Sequence, residues 1–309
     1  MPDIMDSISQ KSINCLDKGH VTLVDVMPRV VPEGKTADYA IVQAARVSYG
    51  DGTKTVNEDR GLIRYLLRHS HTTPLEMIEF KFHVKMPIFV CRQWARHRMS
   101  STNEISARYS ILKDDFYFPA SGDLRKQSSI NKQGGDGSID ESSASSSYCI
   151  KKIVDDANNN YNFYEYMIKS GVAREQARMV LPLNIYTEFY WKIDLHNLFH
   201  FLALRADSHA QKEIRVYADA ILVLLRQIVP IAVEAWEDYH HMRGAIKLTR
   251  LEVESLRDYI QQFQSFAKAE FKQVNSENKR EQAEWLDKAS ILGINLPLPT
   301  QQGPEGQSS

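Results

Sequence analysis

The feature that most restricts what this chain can fold into is a change of hydrophobic period across one stretch poor in apolar residues. From Ser121 to Ser147, 13 of 27 residues are serine or glycine, too little apolar surface to offset the entropy of ordering a packed segment. Before this stretch Ile78, Phe80, Phe82 and Val84 alternate with Glu79, Lys81, His83 and Lys85, the period-two pattern of a strand with one wet face. His20 to Val31 is a second strand candidate, rich in Val with partial alternation. After the stretch the spacing turns helical, over Ile150 to Ser170, Arg174 to Val180, Asp194 to Arg205 and Gln211 to Val229, with Gly171 and Pro182 as stops. Strands first and helices later predict an α+β fold, an antiparallel sheet in the N-terminal half packed with a helical C-terminal half, and not repeated βαβ units. Residues 121–147 are expected to be a flexible, exposed insertion.

Short helices interrupt the first half. Thr36 to Val47 and Asn57 to Arg68 carry helical spacing, and the second ends in a polar run, His69 to Pro74, read as a loop presenting His71 and Thr73. Pro87 permits a helical start over Ile88 to Trp94, and Ile105 to Phe118 is expected to return to extended structure. Lys247 to Asp287 reads as a charged, partly amphipathic helix and Gln301 to Ser309 as a disordered tail.

A formal net charge of −1 over 309 residues argues against a general polyanion-binding surface. No apolar run is long enough to span a bilayer, and the first residues lack the basic start and apolar core of a signal peptide, so a cytoplasmic location and no membrane partner are expected. Three cysteines, Cys15, Cys91 and Cys149, are too far apart to offer a zinc spacing and read as free thiols.

Against this neutral background one segment stands out. Between Phe80 and Asn103 there are five Lys or Arg residues and no acid, ending in Arg96-His97-Arg98 and followed by Ser100, Ser101, Thr102, Asn103, Glu104 and Ser106. Guanidinium groups offer planar forks for phosphate or carboxylate oxygens and stack on flat rings. Short polar side chains at this density suit a ligand-facing segment better than a plain surface. Residues alone leave three readings open: an enzyme with an anionic ligand, a non-catalytic nucleotide- or RNA-binding protein with steeply salt-dependent binding, and a metalloenzyme using His196, His200 and His209. The last is weakened because His196 and His200, though one helical turn apart, lack the glutamate of the zinc-protease motif.

Arg96-His97-Arg98, seven intervening residues and Ser106 resemble the signature of the flavin-dependent thymidylate synthases. In the family's order follow His71 to Glu76, Phe82-His83-Val84, Gln93-Trp94, Asn103-Glu104, Ser106 to Ser110, Ala177 to Pro182 and Leu204 to Gln211, covering about Asp17 to Glu237. The resemblance implies the thymidylate synthase-complementing protein fold, with a catalytic domain over 1–237 and a helical extension and tail over 238–309. It implies reductive methylation of dUMP to dTMP, with 5,10-methylenetetrahydrofolate as one-carbon donor and NADPH reducing through FAD, in a homotetramer whose sites draw on several subunits. No nucleic-acid partner and no metal are implied.

The same resemblance assigns roles. His71, Thr73, Arg96, His97, Arg98, Glu104, Asp194, His196 and His200 would contact the flavin. Gln93, Trp94, Ala95, Arg96, Glu104, Ile105, Ser106, Ala107, Arg108, Arg178 and Arg205 would contact dUMP, with Ser106-Ala107-Arg108 around the phosphate. Arg205 is the catalytic candidate: too basic to act as a base, it would stabilise the uracil anion and so raise the nucleophilicity of C5. The bland alternatives are a salt bridge to Asp207 for Arg205, one to Glu175 for Arg178, and a backbone-bonded turn for His71.

Overall fold

The structure is a computed structural model that describes residues 3–47, 56–128, 134–241, 248–267, 285–286 and 288–294. The chain divides into two compact units, Met1–His241 and Met242–Ser309.

The first unit is built on a five-stranded antiparallel sheet in the order β1-β2-β3-β7-β4. Its strands are β1 (Ser12–Cys15), β2 (Gly19–Met27), β3 (Glu79–Pro87), β4 (Ser101–Glu104) and β7 (Tyr186–Asp194). On one face Phe80, Phe82, Val84 and Met86 of β3 and Phe189, Trp191 and Ile193 of β7 are buried, and the residues between them in sequence turn the other way. α7 (Leu195–Arg205) and α8 (Lys212–Ile228) pack on the sheet and α9 (Pro230–Trp236) packs on α8, and their apolar positions share the same core. Truncating one of the fully buried aromatics, such as Phe82, would cost about 3–5 kcal/mol through lost transfer energy and the cavity left behind.

After the short α1 (Ile4–Ser7), two long-range contacts hold later helices in place, one between two helices and one onto the sheet. Asp38, in the first turn of α2 (Asp38–Arg46), accepts hydrogen bonds from the backbone N–H groups of Ile231 and Ala232 at 3.0 Å each and from the Thr36 hydroxyl at 3.0 Å. A carboxylate distant in sequence thus satisfies the orphan donors at the start of α9, where Pro230 has none to offer. The Tyr217 hydroxyl of α8 donates to the Lys85 carbonyl at 2.9 Å. It passes over Gly19, where an added Cβ would lie 2.0 Å from the tyrosine oxygen.

The α+β antiparallel class holds, with a difference in how the sheet is assembled. β7, inner strand between β3 and β4, lies among the helices of the second half, after α5 (Ala144–Lys169) and α6 (Arg174–Ala177). Strands and helices are therefore not segregated along the chain. The expected helices at Thr36–Val47, Asn57–Arg68, Ile88–Trp94, Ile150–Ser170 and Gln211–Val229 correspond to α2, α3 (Val56–Arg68), α4 (Ile88–Trp94), α5 and α8. The helix expected over Arg174–Val180 is split, α6 giving way to a 3-10 turn over Arg178–Val180.

Two further expectations are corrected. Ile105 to Phe118 is a series of turns carrying one isolated bridge, Phe116 to Ile185, because the Ser106 carbonyl accepts the N–H groups of Tyr109 and Ser110 at 3.0 Å and curls the chain. The loop expected to present Thr73 is wound into a 3-10 turn, Thr73–Met77. Within 121–147 the described residues form a small two-stranded sheet, β5 (Arg125–Gln127) with β6 (Gly135–Ser138). Ser143 then caps α5, accepting the Ser146 N–H at 3.1 Å. At its other end α5 stops at Gly171, whose φ of +85° favours glycine and allows its N–H and that of Val172 to close the helix carbonyls.

In the second unit α10 (Arg250–Ala267) starts from a reciprocal cap, Thr249 and Glu252 each binding the other's backbone N–H. Ile260 of α10, Ala289 and Ile294 form a small apolar cluster, and Arg257 donates to the Ile291 carbonyl at 2.7 Å. The remainder of the helix expected to Asp287 and the tail from Gln301 fall largely or wholly outside the described residues.

Candidate active site

The helix α4 ends at Trp94, whose indole packs within 4.7 Å of Trp191 and 4.4 Å of Phe201 between ring centroids. Because the helix stops there, the His97 N–H turns back to the Trp94 carbonyl at 3.0 Å and leaves the Gln93 carbonyl without a helical donor. Arg205, in the last turn of α7, supplies one. Its Nη2 donates to the Gln93 carbonyl at 3.2 Å, and its Nε donates to Nε2 of His97 at 3.0 Å. The His97 ring is held edge-on by Phe201 and by His200, with centroids 4.9 and 5.9 Å away.

The electrostatics follow from this packing. Burial, Arg205 and His200 push His97 down to about 4, so at neutral pH it is an uncharged acceptor. Burial and the neighbouring Arg96 lower Arg205 as well, yet a guanidinium stays protonated throughout the working range. Arg96 and Arg98 are exposed and make no ion pair among the described residues. Positive charge therefore accumulates around Arg205 without a matching acid, an arrangement that favours an anionic ligand with a flat, hydrogen-bonding edge.

A second cluster lies on the turn after β4. The Ser106 hydroxyl accepts the Arg108 N–H at 3.3 Å, and the Arg108 side chain pairs with Glu175 at 3.2 Å, both partners being more than half exposed. Arg174 donates to the Tyr109 carbonyl at 2.7 Å and Arg178 to the Glu175 carbonyl at 3.3 Å. Arg178 thus leans on the backbone of Glu175 and not on its carboxylate. Glu104 accepts a hydrogen bond from the Thr187 hydroxyl, and the Ile105 N–H binds the Glu188 carbonyl at 2.9 Å. Trp94 and Ala107 are buried, so of Trp94 chiefly the backbone is available to a ligand; Ala95 is exposed.

The third group gathers at the start of α7. Asp194 is its N-cap, with one carboxylate oxygen on the Asn197 N–H at 2.9 Å and the other on its amide at 2.7 Å. The 3-10 turn carrying Thr73 ends where the Ile78 carbonyl accepts the Leu195 N–H at 2.8 Å, which brings the His71 segment to the same end of the helix. His71 is exposed, its N–H on the Leu66 carbonyl at 2.8 Å and its ring beside Tyr65. His196 is half-buried and His200 exposed. Among the described residues no three His, Cys, Asp or Glu side chains are grouped to hold a metal ion.

The structure thus brings Gln93, Arg96, His97, His200 and Arg205 together, and places Ser106, Arg108 and Arg178 in a separate network within one chain. The alternative of a salt bridge for Arg205 is not what forms, since Asp207 instead binds His209. Cys91 is half-buried with its thiol pushed up to about 12 by burial, inert as a nucleophile. No local pattern points to Gln211, whose side-chain oxygen accepts from the Gln93 amide, nor to Thr187. Glu175, expected to pair with Arg178, gives its carboxylate to Arg108.

Comparison with known proteins meets this geometry. The family model described as thymidylate synthase complementing protein matches residues 26–231. A flavin-dependent thymidylate synthase of Dictyostelium discoideum is 50% identical over 293 residues, 95% of this chain and 91% of that protein. One from Thermus thermophilus is 55% identical over 249 residues, 81% of this chain and 86% of its own length. Among solved structures, a UMP/dUMP methylase, PolB from Streptomyces cacaoi, bound with 5-Br dUMP, superposes with a TM-score of 0.64 at 32% identity, covering 74% of this chain and 99% of that one.

Proposed function

The chain belongs to the thymidylate synthase complementing protein family, and from that premise we propose the residue roles and co-substrates of its reaction. It is a flavin-dependent thymidylate synthase that methylates dUMP to dTMP. The proposal is that the flavin is FAD, that 5,10-methylenetetrahydrofolate gives the one-carbon unit and leaves as tetrahydrofolate, and that NADPH supplies the reducing equivalents.

The observation that carries the site assignment is the guanidinium of Arg205, oriented by a neutral imidazole on one edge and a helix carbonyl on another. Held this way it presents remaining N–H groups as a fixed donor edge to the uracil ring. Charge that develops on the ring as C5 attacks is met by a donor already in place, which lowers the barrier without a reorganisation step. Gln93 and Glu104 orient the base, while the Ser106 hydroxyl, the Ala107 backbone and Arg108 take the phosphate, Arg108 exchanging its exposed Glu175 for the stronger anion. Arg178 completes that side.

The residues fit a flavin as well. Arg96 and Arg98 are cations without ion-pair partners among the described residues, suited to its phosphates, and His71, Thr73, His97, Glu104, Asp194, His196 and His200 would supply the rest of its cradle. Bound there, the flavin carries the redox chemistry, and the protein contributes orientation and charge. Because the Ser106–Arg108 network and the Arg205 network are separate within one chain, each site is proposed to be completed by neighbours in a homotetramer. Residues 1–237 are proposed as the catalytic domain and 238–309 as its extension. None of the described helices is long and apolar enough to cross a membrane, and a cytoplasmic location is part of the proposal.

The test is the visible spectrum of the purified protein under anaerobic conditions. Flavin absorbance that bleaches on adding NADPH, at a rate altered by dUMP, is the expected result. Failure to bind FAD supplied in excess would overturn the cofactor assignment.

A further inference from the structure

A cavity of about 500 Å³ has Gln211, the partner of Gln93, in its lining and is walled by α4, the start of α8 and the β5–β6 sheet. Its lining is divided by chemistry. Phe89 and Tyr117, ring centroids 6.0 Å apart and planes tilted by 38°, form an aromatic corner. Glu213 stands beside them with one carboxylate oxygen 3.5 Å from the Tyr117 hydroxyl and the other, buried, without a hydrogen-bond partner among the described residues. A buried carboxylate oxygen left unpaired is unfavourable and calls for an N–H donor.

The lining also carries positive charge. Asp123 is matched there by Lys212. Arg125 and Lys126 on β5 also line the cavity and have no ion pair among the described residues. A volume in the range of small-molecule sites, with an aromatic corner and a few convergent polar groups, has the makings of a binding pocket.

We propose that this cavity binds a ligand with an N–H-bearing heteroaromatic ring at one end and anionic groups at the other, the ring against Phe89, Tyr117 and Glu213 and the anion on Arg125 and Lys126. Arg125 and Lys126, on β5, then have a task, since they supply the cations. Resting on the synthase reading, two co-substrates carry this chemistry. A reduced folate has an aminopyrimidine edge and carboxylates, and a nicotinamide dinucleotide phosphate has a carboxamide and phosphates.

The experiment is calorimetric titration of the full-length protein, loaded with flavin and dUMP, using tetrahydrofolate and NADP⁺ as separate probes. The Arg125→Ala/Lys126→Ala double variant and Glu213→Gln are each expected to lose about tenfold or more in affinity for the same one of the two probes, with dUMP affinity unchanged. Whichever probe responds identifies the ligand. Lys126→Glu, at an exposed side chain, should weaken that probe too and keeps the test decisive if Glu213→Gln folds poorly. If dUMP and flavin bind and neither probe responds to any variant, the cavity proposal falls and the synthase reading stands. If the wild-type protein takes up neither flavin nor dUMP, both fall together.

Discussion

The Nε of Arg205 donates to Nε2 of His97 at 3.0 Å, joining residues 108 positions apart, and the acceptor is an imidazole kept neutral by its surroundings. A protonated His97 would face the guanidinium as a second cation and release it. Since His97 is held down to about 4, NMR titration should show no protonation of this ring above about pH 5. The linked contribution to stability runs with the same sign. A depressed folded pKa makes it fully present above the unfolded value of 6.5 and removes it as pH falls toward 4. His97→Ala should lower kcat on the order of 10²-fold by letting Arg205 swing, and His97→Gln, which keeps an acceptor, should lose less.

Arg205 and Arg108 should separate in kinetics. Arg205→Ala removes a donor proposed to act as charge develops, so kcat should fall by about 10²–10³-fold. Arg108→Ala removes a phosphate contact made equally before and during the reaction, so KM for dUMP should rise about tenfold with kcat nearly kept. Its present partner Glu175 is exposed, so the melting temperature should hardly move. Wild-type kinetics in both variants would remove the site assignment.

Asp38 couples two distant parts of the first unit, α2 and α9. Asp38→Ala should destabilise by about 2 kcal/mol, because the first N–H groups of α9 lose their acceptor. Burial raises this carboxyl to about 6 despite three hydrogen bonds. A raised folded pKa means the group's contribution is present below the unfolded value of 3.8 and is lost as pH climbs through 6. Denaturant melts at pH 4.5 and pH 7 should show wild type losing stability relative to Asp38→Asn across that interval.

Gly19→Ala is expected to destabilise by about 3 kcal/mol, since the new methyl meets the Tyr217 hydroxyl and two backbone carbonyls at once. Pairing it with Tyr217→Phe, which removes the hydroxyl, should recover part of the loss in thermal melts. Full additivity of the two changes would show that they do not share this contact.

Legibility in the sequence followed locality. β3 was plain because Phe80, Phe82 and Val84 alternate with charged residues. β7 carries the same signal in Phe189, Trp191 and Ile193 against Glu188, Tyr190 and Lys192, but it sits among helical patterns and was passed over. β4 has no pattern to find. Ser101, Thr102, Asn103 and Glu104 are all exposed and are ordered by backbone pairing with β7 and by the Thr187 hydroxyl on Glu104. At the site the residue types announced an anionic ligand, whereas the pairing of Arg205 with His97 and of Gln93 with Gln211 depends on how α7 and α8 dock, which no local spacing encodes.

The carbonyl of Gln93 at the end of α4, filled from another helix, links activity to assembly. Arg205 reaches it from α7, which follows β7 directly in the chain, so the contact requires α7 to be docked beside α4. A partly folded chain, with α4 formed but α7 undocked, would hold the arginines near Arg96 yet lack the oriented donor edge, and would grip anions without turning them over. Competence is thereby tied to the docking of α7: catalytic onset during refolding should not precede the burial of Trp191 against Phe201.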